Sequence, residues 1–371
     1  MKLLIFSWRD LKHPKSGGAE ILTIELAKRW VKAGHQVTLV SAKFPGANDQ
    51  ETISGVGIIR PARFYRHSPW NYLPYLYHTA SFYRKYLVGR YDLVIDQVHG
   101  LPFFAPFYVK ERVILFPLEV AGKIWFREVT FPFSLIGFLL ERIYIRLFRT
   151  YPFLIISPST SRELTKLGIR KLFNFSPGLN FTPKRKLPSK SPVPLLVSLA
   201  RITEMKRIEE TLQAFRLLHK EFPLIKLFII GRGKKLYIRK LKRLCLQTAI
   251  EDRVFFPGYV SEKEKIRYLS QAWMLVSSSV KEGWGLTVIE AAACGTPTVA
   301  YRIPGLVDSI KNNQTGLLCQ RNTPVELARM IRKVLLNPRL RNRLSQNALA
   351  YSRQFSWDKA ADECLKFFAK I

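Results

Sequence analysis

The chain has 371 residues, more than one ordinary hydrophobic core holds, so two domains of about 150–200 residues are expected. A hydrophobic content of 47% with 22 Pro and 20 Gly describes a globular protein and excludes a low-complexity or fibrous one. Sixty Lys and Arg against 27 Asp and Glu leave a formal charge of +33 and a pI near 10.2, which requires an acidic partner: nucleic acid, anionic lipid or a phosphorylated substrate.

MKLLIFSWRD begins with a short apolar run broken by Arg9 and Asp10, and reads as a first strand rather than a signal peptide. KLLIFSW (2–8) and HQVTLVSA (35–42) are strand-like. Between them, AEILTIELAKRWVKAG sets Ile21, Ile24, Leu26, Ala27 and Val31 on a helical stripe that stops at Gly34. YDLVIDQV (91–98), ERVILFPL (111–118) and FLIISPST (153–160) are further buried strands, the last feeding a helix begun by Ser159 or Thr160. The most apolar stretch, VTFPFSLIGFLL (129–140), is too short to span a bilayer. FTPKRKLPSKSPVP (181–194) has the composition of an exposed interdomain linker.

Beyond it the alternation restarts. VPLLVSLA (193–200), IKLFIIGRG (225–233), RVFFPGYV (253–260), WMLVSSS (273–279) and TPTVAY (296–301) are strands with helical patterns between them. FSWDKAADECLKFFAKI (355–371) reads as an amphipathic helix. Alternation of this kind means an α/β protein of two doubly wound, Rossmann-like domains, with ligands at the carboxyl ends of the strands. Two such domains facing each other put the site in a central cleft. The expected division is 1–182, a linker at 183–193, 194–354, and a last helix at 355–371. Four scattered cysteines (Cys245, Cys294, Cys319, Cys364) form no C-x-x-C pair and fit a reduced, cytosolic setting.

Three clusters carry chemistry. KSGGAEILTIELA (15–27) puts Gly17 and Gly18 between the first strand and first helix, where they suit a phosphate or a sugar; the dinucleotide fingerprint G-x-G-x-x-G is absent. SLARITEMKRIEETLQAF (198–215) delivers Arg201 at a strand end and Lys206 at a helix start, a clamp for a diphosphate or two ordinary surface cations. KEGWGLTVIEAAACGTPTVAY (281–301) brackets a glycine loop with Glu282 and Glu290. Gly285 lets backbone approach an anion, and the amides of Leu286 and Thr287 open a helix whose dipole favours negative charge. Glu290, one turn inside, is placed to accept ribose hydroxyls, and Glu282 faces another part of the same ligand. The alternative is that both glutamates only balance the helix terminus. Gly231 in GRGKK (231–235) marks either a plain turn or a ligand contact.

These residues resemble the retaining, nucleotide-sugar-dependent glycosyltransferases of the GT-B fold known as family 4, or group 1. The resemblance runs from SLARITEMKR through FIIGRG, FPGYVSEKEK, the Glu282-x₇-Glu290 pattern and GLVDSIKNNQTGLL, with Gly17-Gly18-Ala19-Glu20 near the start. It implies that Arg201 and Lys206 bind the donor diphosphate, Glu290 the ribose, and Glu282 the transferred sugar. Gly17 and Gly18 pack by the sugar-phosphate, the backbone around Gly258, Tyr259 and Val260 meets the base, and the amides of Leu286 and Thr287 meet the phosphates. The family histidine that contacts the donor sugar is matched by His99 in DQVHGLPFF, without the usual H-x-H context. Pro177 stands where the family has Asn, and Trp284 where Phe is more usual. No Asp-x-Asp triplet is present, so the donor, UDP- or GDP-linked, is expected to need no metal and no cofactor.

The acceptor is expected in the N-terminal half. Residues 60–91 hold six Lys/Arg, ten aromatics and no acidic residue, and WFREVTFPFSLIGFLLERIYIRLFR (125–149) sets an apolar stretch against Arg142, Arg146 and Arg149. That mixture suits an anionic bilayer interface, or single-stranded nucleic acid, or an ordinary core with a basic face. With the resemblance beside it, the expectation is a glycosyltransferase peripheral on the inner membrane face, acting on a lipid-linked or surface glycan acceptor, with no nucleic acid partner. Another GT-B enzyme such as a 2-epimerase, and a basic nucleic-acid-binding module, are the alternatives.

Overall fold

A computed structural model describes residues 1–62 and 72–371. Part of the basic aromatic stretch singled out above, residues 63–71, lies outside them. The chain forms two compact units: Met1–Gly178 with Ser356–Ile371, and Leu179–Phe355.

In the first unit, the strands are β1 (Lys2–Phe6), β2 (Gln36–Val40), β3 (Gln50–Ile53), β4 (Val56–Ile59), β5 (Leu93–Val98), β6 (Arg112–Pro117), β7 (Phe153–Ile155) and β8 (Leu172–Asn174). Their order is β3-β4-β2-β1-β5-β6-β7-β8, parallel except for β3 against β4. The antiparallel edge has a local cause. Ser54 and Gly55 both take positive φ (52° and 82°), the requirement of a two-residue hairpin turn. All six residues of β5 are buried, as a central parallel strand requires. Its polar members are satisfied: Gln97 accepts from Ser7 Oγ at 2.6 Å and donates to Thr23 Oγ1 at 2.5 Å.

The helices of this unit are α1 (Gly18–Lys32), α2 (Tyr72–Tyr86), α3 (Trp125–Glu128), α4 (Phe133–Leu147) and α5 (Pro158–Lys166). α5 starts slightly before the expected position because Ser157 is the cap, accepting from the Thr160 amide, with Pro158 as the first helical residue. Residues 356–371 also belong here, and their helix packs on α1. The Trp30 indole donates to the Ala361 carbonyl at 3.1 Å, and its ring meets Phe368 edge-on.

The second unit holds β9 (Leu195–Leu199), β10 (Lys226–Ile230), β11 (Val254–Gly258), β12 (Met274–Ser277), β13 (Thr298–Ala300) and β14 (Gly316–Leu318). Their order is β11-β10-β9-β12-β13-β14, all parallel. α6 (Ile208–His219), α7 (Lys235–Gln247), α8 (Glu262–Gln271), α9 (Leu286–Ala293), α10 (Leu306–Ser309), α11 (Pro324–Leu335) and α12 (Pro338–Ser352) surround the sheet, and the helix at Trp357–Phe368 is α13. In α6, Ile208, Leu212, Phe215 and Leu218 form the buried stripe that its 3.6-residue spacing dictates.

The segment expected as a free linker, 183–193, is held against this unit. Lys190 is the anchor: its Nζ donates to Thr296 Oγ1 at 2.7 Å and to the Ser270 carbonyl at 3.0 Å. Burial pushes its ammonium down to about 7.

Candidate functional site

Each sheet has one place where strand order reverses, β1 beside β5 in the first unit and β9 beside β12 in the second. In open α/β sheets the loops leaving two such strands diverge to opposite faces and open a crevice at their carboxyl ends. Most of the candidate residues follow these four strands.

In the second unit β9 runs into Arg201, which is exposed, and then a short 3₁₀ turn over Glu204–Lys206. Arg207 takes a left-handed backbone (φ 45°) before α6 begins. A non-glycine residue in that region is strained and must be held. Ser278, just past β12, does so: its hydroxyl lies 2.7 Å from the Arg207 carbonyl and 3.1 Å from that of Lys206. Thr211 contacts the same hydroxyl at 2.8 Å. The Val280 amide adds a bond to the Met205 carbonyl at 2.9 Å, tying the two loops together.

This geometry brings Lys206 onto Glu282, with Nζ 2.5 Å from Oε1. Ser279 Oγ donates to the same oxygen at 2.7 Å. The Glu282 backbone rests on Gly305, where a side-chain carbon would overlap the Glu282 carbonyl. Gly285, at φ 92°, caps α9, so the amides of Leu286 and Thr287 occupy the first turn, where helix amides lack intrahelical acceptors. Glu290 follows one turn in, most of its side chain buried, with Oε1 2.7 Å from Lys265 Nζ of α8. Burial pushes the Glu290 carboxyl up, and Lys265 works against that rise.

Gly231, Tyr259 and Val260 sit one and two strands away, after β10 and β11. Gly231 (φ 145°) donates its amide to the Gly258 carbonyl at 2.8 Å, and a side-chain carbon on it would overlap the Ala200 carbonyl. Glycine is thus required there by backbone contact alone. Tyr259 is exposed, with the Arg232 guanidinium 3.9 Å over its ring, while Val260 packs partly on the core.

In the first unit Gly17 and Gly18 form the start of α1, at the end of the loop that follows β1. Glu20 holds the loop, accepting from the Gly17 amide at 2.6 Å and from Arg9 Nε at 2.8 Å. Burial pushes its carboxyl up, but Arg9, His99 and the Gly17 amide outweigh that and hold it below the ordinary range. His99 follows β5, at the neighbouring strand end. Its loop is fixed by the Tyr144 hydroxyl donating to the Gly100 carbonyl at 3.0 Å. Asp96 accepts from the amides of Phe103 and Ala105, and burial pushes its carboxyl up to about 7. Among the described residues, no group of three or more His, Cys, Asp or Glu is arranged to hold a metal.

The structure therefore brings Lys206 and Glu282 into contact, with Arg201 just past the end of β9 and Gly285, Leu286, Thr287 and Glu290 on the segment that follows β12; Gly17, Gly18 and His99 lie after β1 and β5 in the other unit. Sequence patterns did not single out Ser278, Ser279 or Lys265. The run Ser277-Ser278-Ser279 at a strand end was the one available signal.

α4 offers a different surface. Ser134, Gly137, Glu141, Tyr144 and Ile145 face inward, while Leu135, Ile136, Leu139, Leu140, Ile143 and Leu147 are exposed, Ile143 at 52% and Leu147 at 59%. Arg142, Arg146 and Arg149 are exposed on the same segment. No helix of the described residues is long and apolar enough to cross a membrane.

Residues 181–351 match the family described as glycosyl transferases group 1, and residues 16–116 match glycosyltransferase family 4. A D-inositol 3-phosphate glycosyltransferase of Xylanimonas cellulosilytica is 30% identical over 179 residues, 48% of this chain and 42% of that protein. The chain thus spans less than half the length of that relative. An N-acetyl-alpha-D-glucosaminyl L-malate synthase of Bacillus anthracis is 22% identical over 91% of this chain and 89% of its own. Among solved structures, sucrose-phosphate synthase from Thermosynechococcus elongatus superposes with a TM-score of 0.84 at 20% identity, over 100% of this chain and 98% of that one. Anabaena HepE, solved in complex with UDP-glucose, superposes with a TM-score of 0.75 at 16% identity over the whole of both chains. The structural likeness shows a shared GT-B fold.

Proposed function

The chain belongs to the group 1 glycosyltransferases, and from that premise we propose that it moves a sugar from a nucleoside-diphosphate sugar to an acceptor, with retention of anomeric configuration. The observation that carries this reading is the convergence of Lys206, Glu282 and the start of α9 where strand order reverses between β9 and β12.

When the bond from the sugar to the β-phosphate breaks, negative charge grows on the departing nucleotide. Arg201, Lys206 and the first-turn amides of α9 meet that charge with groups already in place, the form of stabilisation that lowers such barriers most. These cations take the role that a metal ion plays elsewhere. Glu290 accepts the ribose hydroxyls, and the main chain at Tyr259 and Val260 borders the base. Glu282, held by Lys206 and Ser279, lies by the transferred sugar. UDP is the favoured nucleotide, supported by the UDP-glucose bound to the structurally similar HepE.

The acceptor is a lipid-linked or surface glycan met at the inner face of a membrane. The exposed aliphatic face of α4, with arginines on the same segment, supports this: an apolar stripe beside cations suits the headgroup boundary of an anionic bilayer.

The test is sugar transfer from a panel of UDP- and GDP-sugars to lipid-linked acceptors. Glu290→Ala and Lys206→Ala should each lower transfer by about a hundredfold or more while circular dichroism stays native. Full activity of both variants on a confirmed donor would overturn the reading.

A further inference from the structure

α8 starts with a reciprocal cap, Ser261 Oγ accepting from the Glu264 amide and Glu264 Oε2 from the Ser261 amide at 2.9 Å. The next residue, Lys265, turns inward. Its Nζ lies 2.7 Å from Glu290 Oε1 and 2.9 Å from Glu262 Oε1, with 12% of the side chain exposed. Glu290 is 14% exposed on its side chain, while Glu262 stands mostly in solvent. On the same two helices Leu269, Val288 and Ile289 are buried.

A buried ion pair of this kind is a poor source of stability, because removing both charges from water cancels most of their attraction. Apolar side chains would serve the α8–α9 contact as well. The position of the pair points to another use: Glu290 is one turn inside α9, beside the amides that open toward the crevice. Lys265 holds Oε1 from the α8 side.

We propose that Lys265 is a positioning residue for the donor: it pins Glu290 in one rotamer, as an ionised acceptor, so that the carboxylate receives the ribose hydroxyls. This rests on the reading of Glu290 as the ribose ligand. The chemistry is that of a carboxylate held away from water. Without a neighbouring cation, burial drives such a group toward its neutral form, which gives up acceptor capacity. Lys265 supplies that cation from α8.

The experiment measures binding of UDP and GDP, each against its 2′,3′-dideoxy counterpart, by calorimetry. Four proteins are compared: the native chain, Lys265→Met, Lys265→Arg and Glu290→Gln. The native chain should prefer one ribonucleotide over its dideoxy form by about tenfold to a hundredfold, as expected for charge-assisted hydrogen bonds. Lys265→Met should lose most of that preference with unchanged affinity for the dideoxy form, and Lys265→Arg should keep it. Because each preference is measured within one protein, any loss of folded population cancels. An intact preference in Lys265→Met, or an equal loss for both ligands, overturns the inference. If the native chain shows no preference, or Glu290→Gln retains it, the ribose reading of Glu290 falls and takes the inference with it. Loss in Glu290→Gln with retention in Lys265→Met removes the inference alone.

Discussion

Lys206 and Glu282 form an ion pair of 2.5 Å between the loops that leave β9 and β12. Their separation of 76 residues in sequence vanishes in space because those two strands are neighbours at the point where the sheet order reverses. Removing the cation should affect catalysis more than folding. Lys206→Ala is expected to lower kcat by about 10²–10³-fold, the usual loss for one preorganised charge-stabilising group. Glu282→Gln should preserve nucleotide binding better than Lys206→Ala does, since it removes no phosphate contact. Steady-state kinetics with calorimetry on the nucleotide separates the two effects, and equal kcat for Lys206→Ala and the native chain would refute the assignment.

Gly231→Ala tests whether that glycine is held by backbone packing. Its φ of 145° and the overlap of an added carbon with the Ala200 carbonyl predict a loss of about 2–5 kcal/mol in unfolding free energy. Urea denaturation measures it. A fully stable variant with weakened nucleotide binding would instead make Gly231 a ligand contact.

Glu20 gives a pH dependence with a definite sign. Its folded carboxyl lies below the ordinary value of 4.5, so its stabilising contribution is complete above that pH and is lost as the pH falls through the lower folded value. Glu20→Gln should therefore destabilise the protein by about 1–3 kcal/mol at neutral pH, and the difference from the native chain should shrink on acidification. Chemical denaturation at a series of pH values checks this; a difference that grows toward acid would contradict it.

The exposed face of α4 makes a separate prediction. Leu139→Glu with Ile143→Glu should leave the unfolding midpoint unchanged, since both side chains already face water. Binding to vesicles containing phosphatidylglycerol should weaken by about tenfold or more, because the variant buries less apolar surface and opposes the arginines. Vesicle sedimentation at low and high salt measures both contributions. A native chain that ignores anionic vesicles would remove the membrane from the proposal.

Local patterns made much of this protein readable before its structure. The strand–helix alternation, the Gly17-Gly18 loop, the Arg201/Lys206 junction and the glutamate pair are all short-range signals. What stayed hidden depends on long-range pairing. Nothing in the alternation says that β9 lies beside β12, and that adjacency is what makes Lys206 and Glu282 partners. Lys265 is one of sixty Lys and Arg, and its partner lies 25 residues away on another helix. Ser278 hid inside a run of three serines. The β3–β4 hairpin was within reach, since Ser54-Gly55 is a turn signal between two strand-like segments. Prolines and lysines made 183–193 look free, but composition does not tell which lysine finds buried acceptors. Lys190 does.

The packing of α13 on α1 reaches into how the protein is made. Trp30 emerges from the ribosome early, yet its indole and ring are met by Ala361 and Phe368. All of Leu179–Phe355 is synthesised between these partners. The first sheet can therefore assemble during translation, but its α1 flank stays uncovered until residues 356–371 arrive. The second unit, whose residues are consecutive in sequence, has its full set of partners sooner. The unit that starts first is the one completed last.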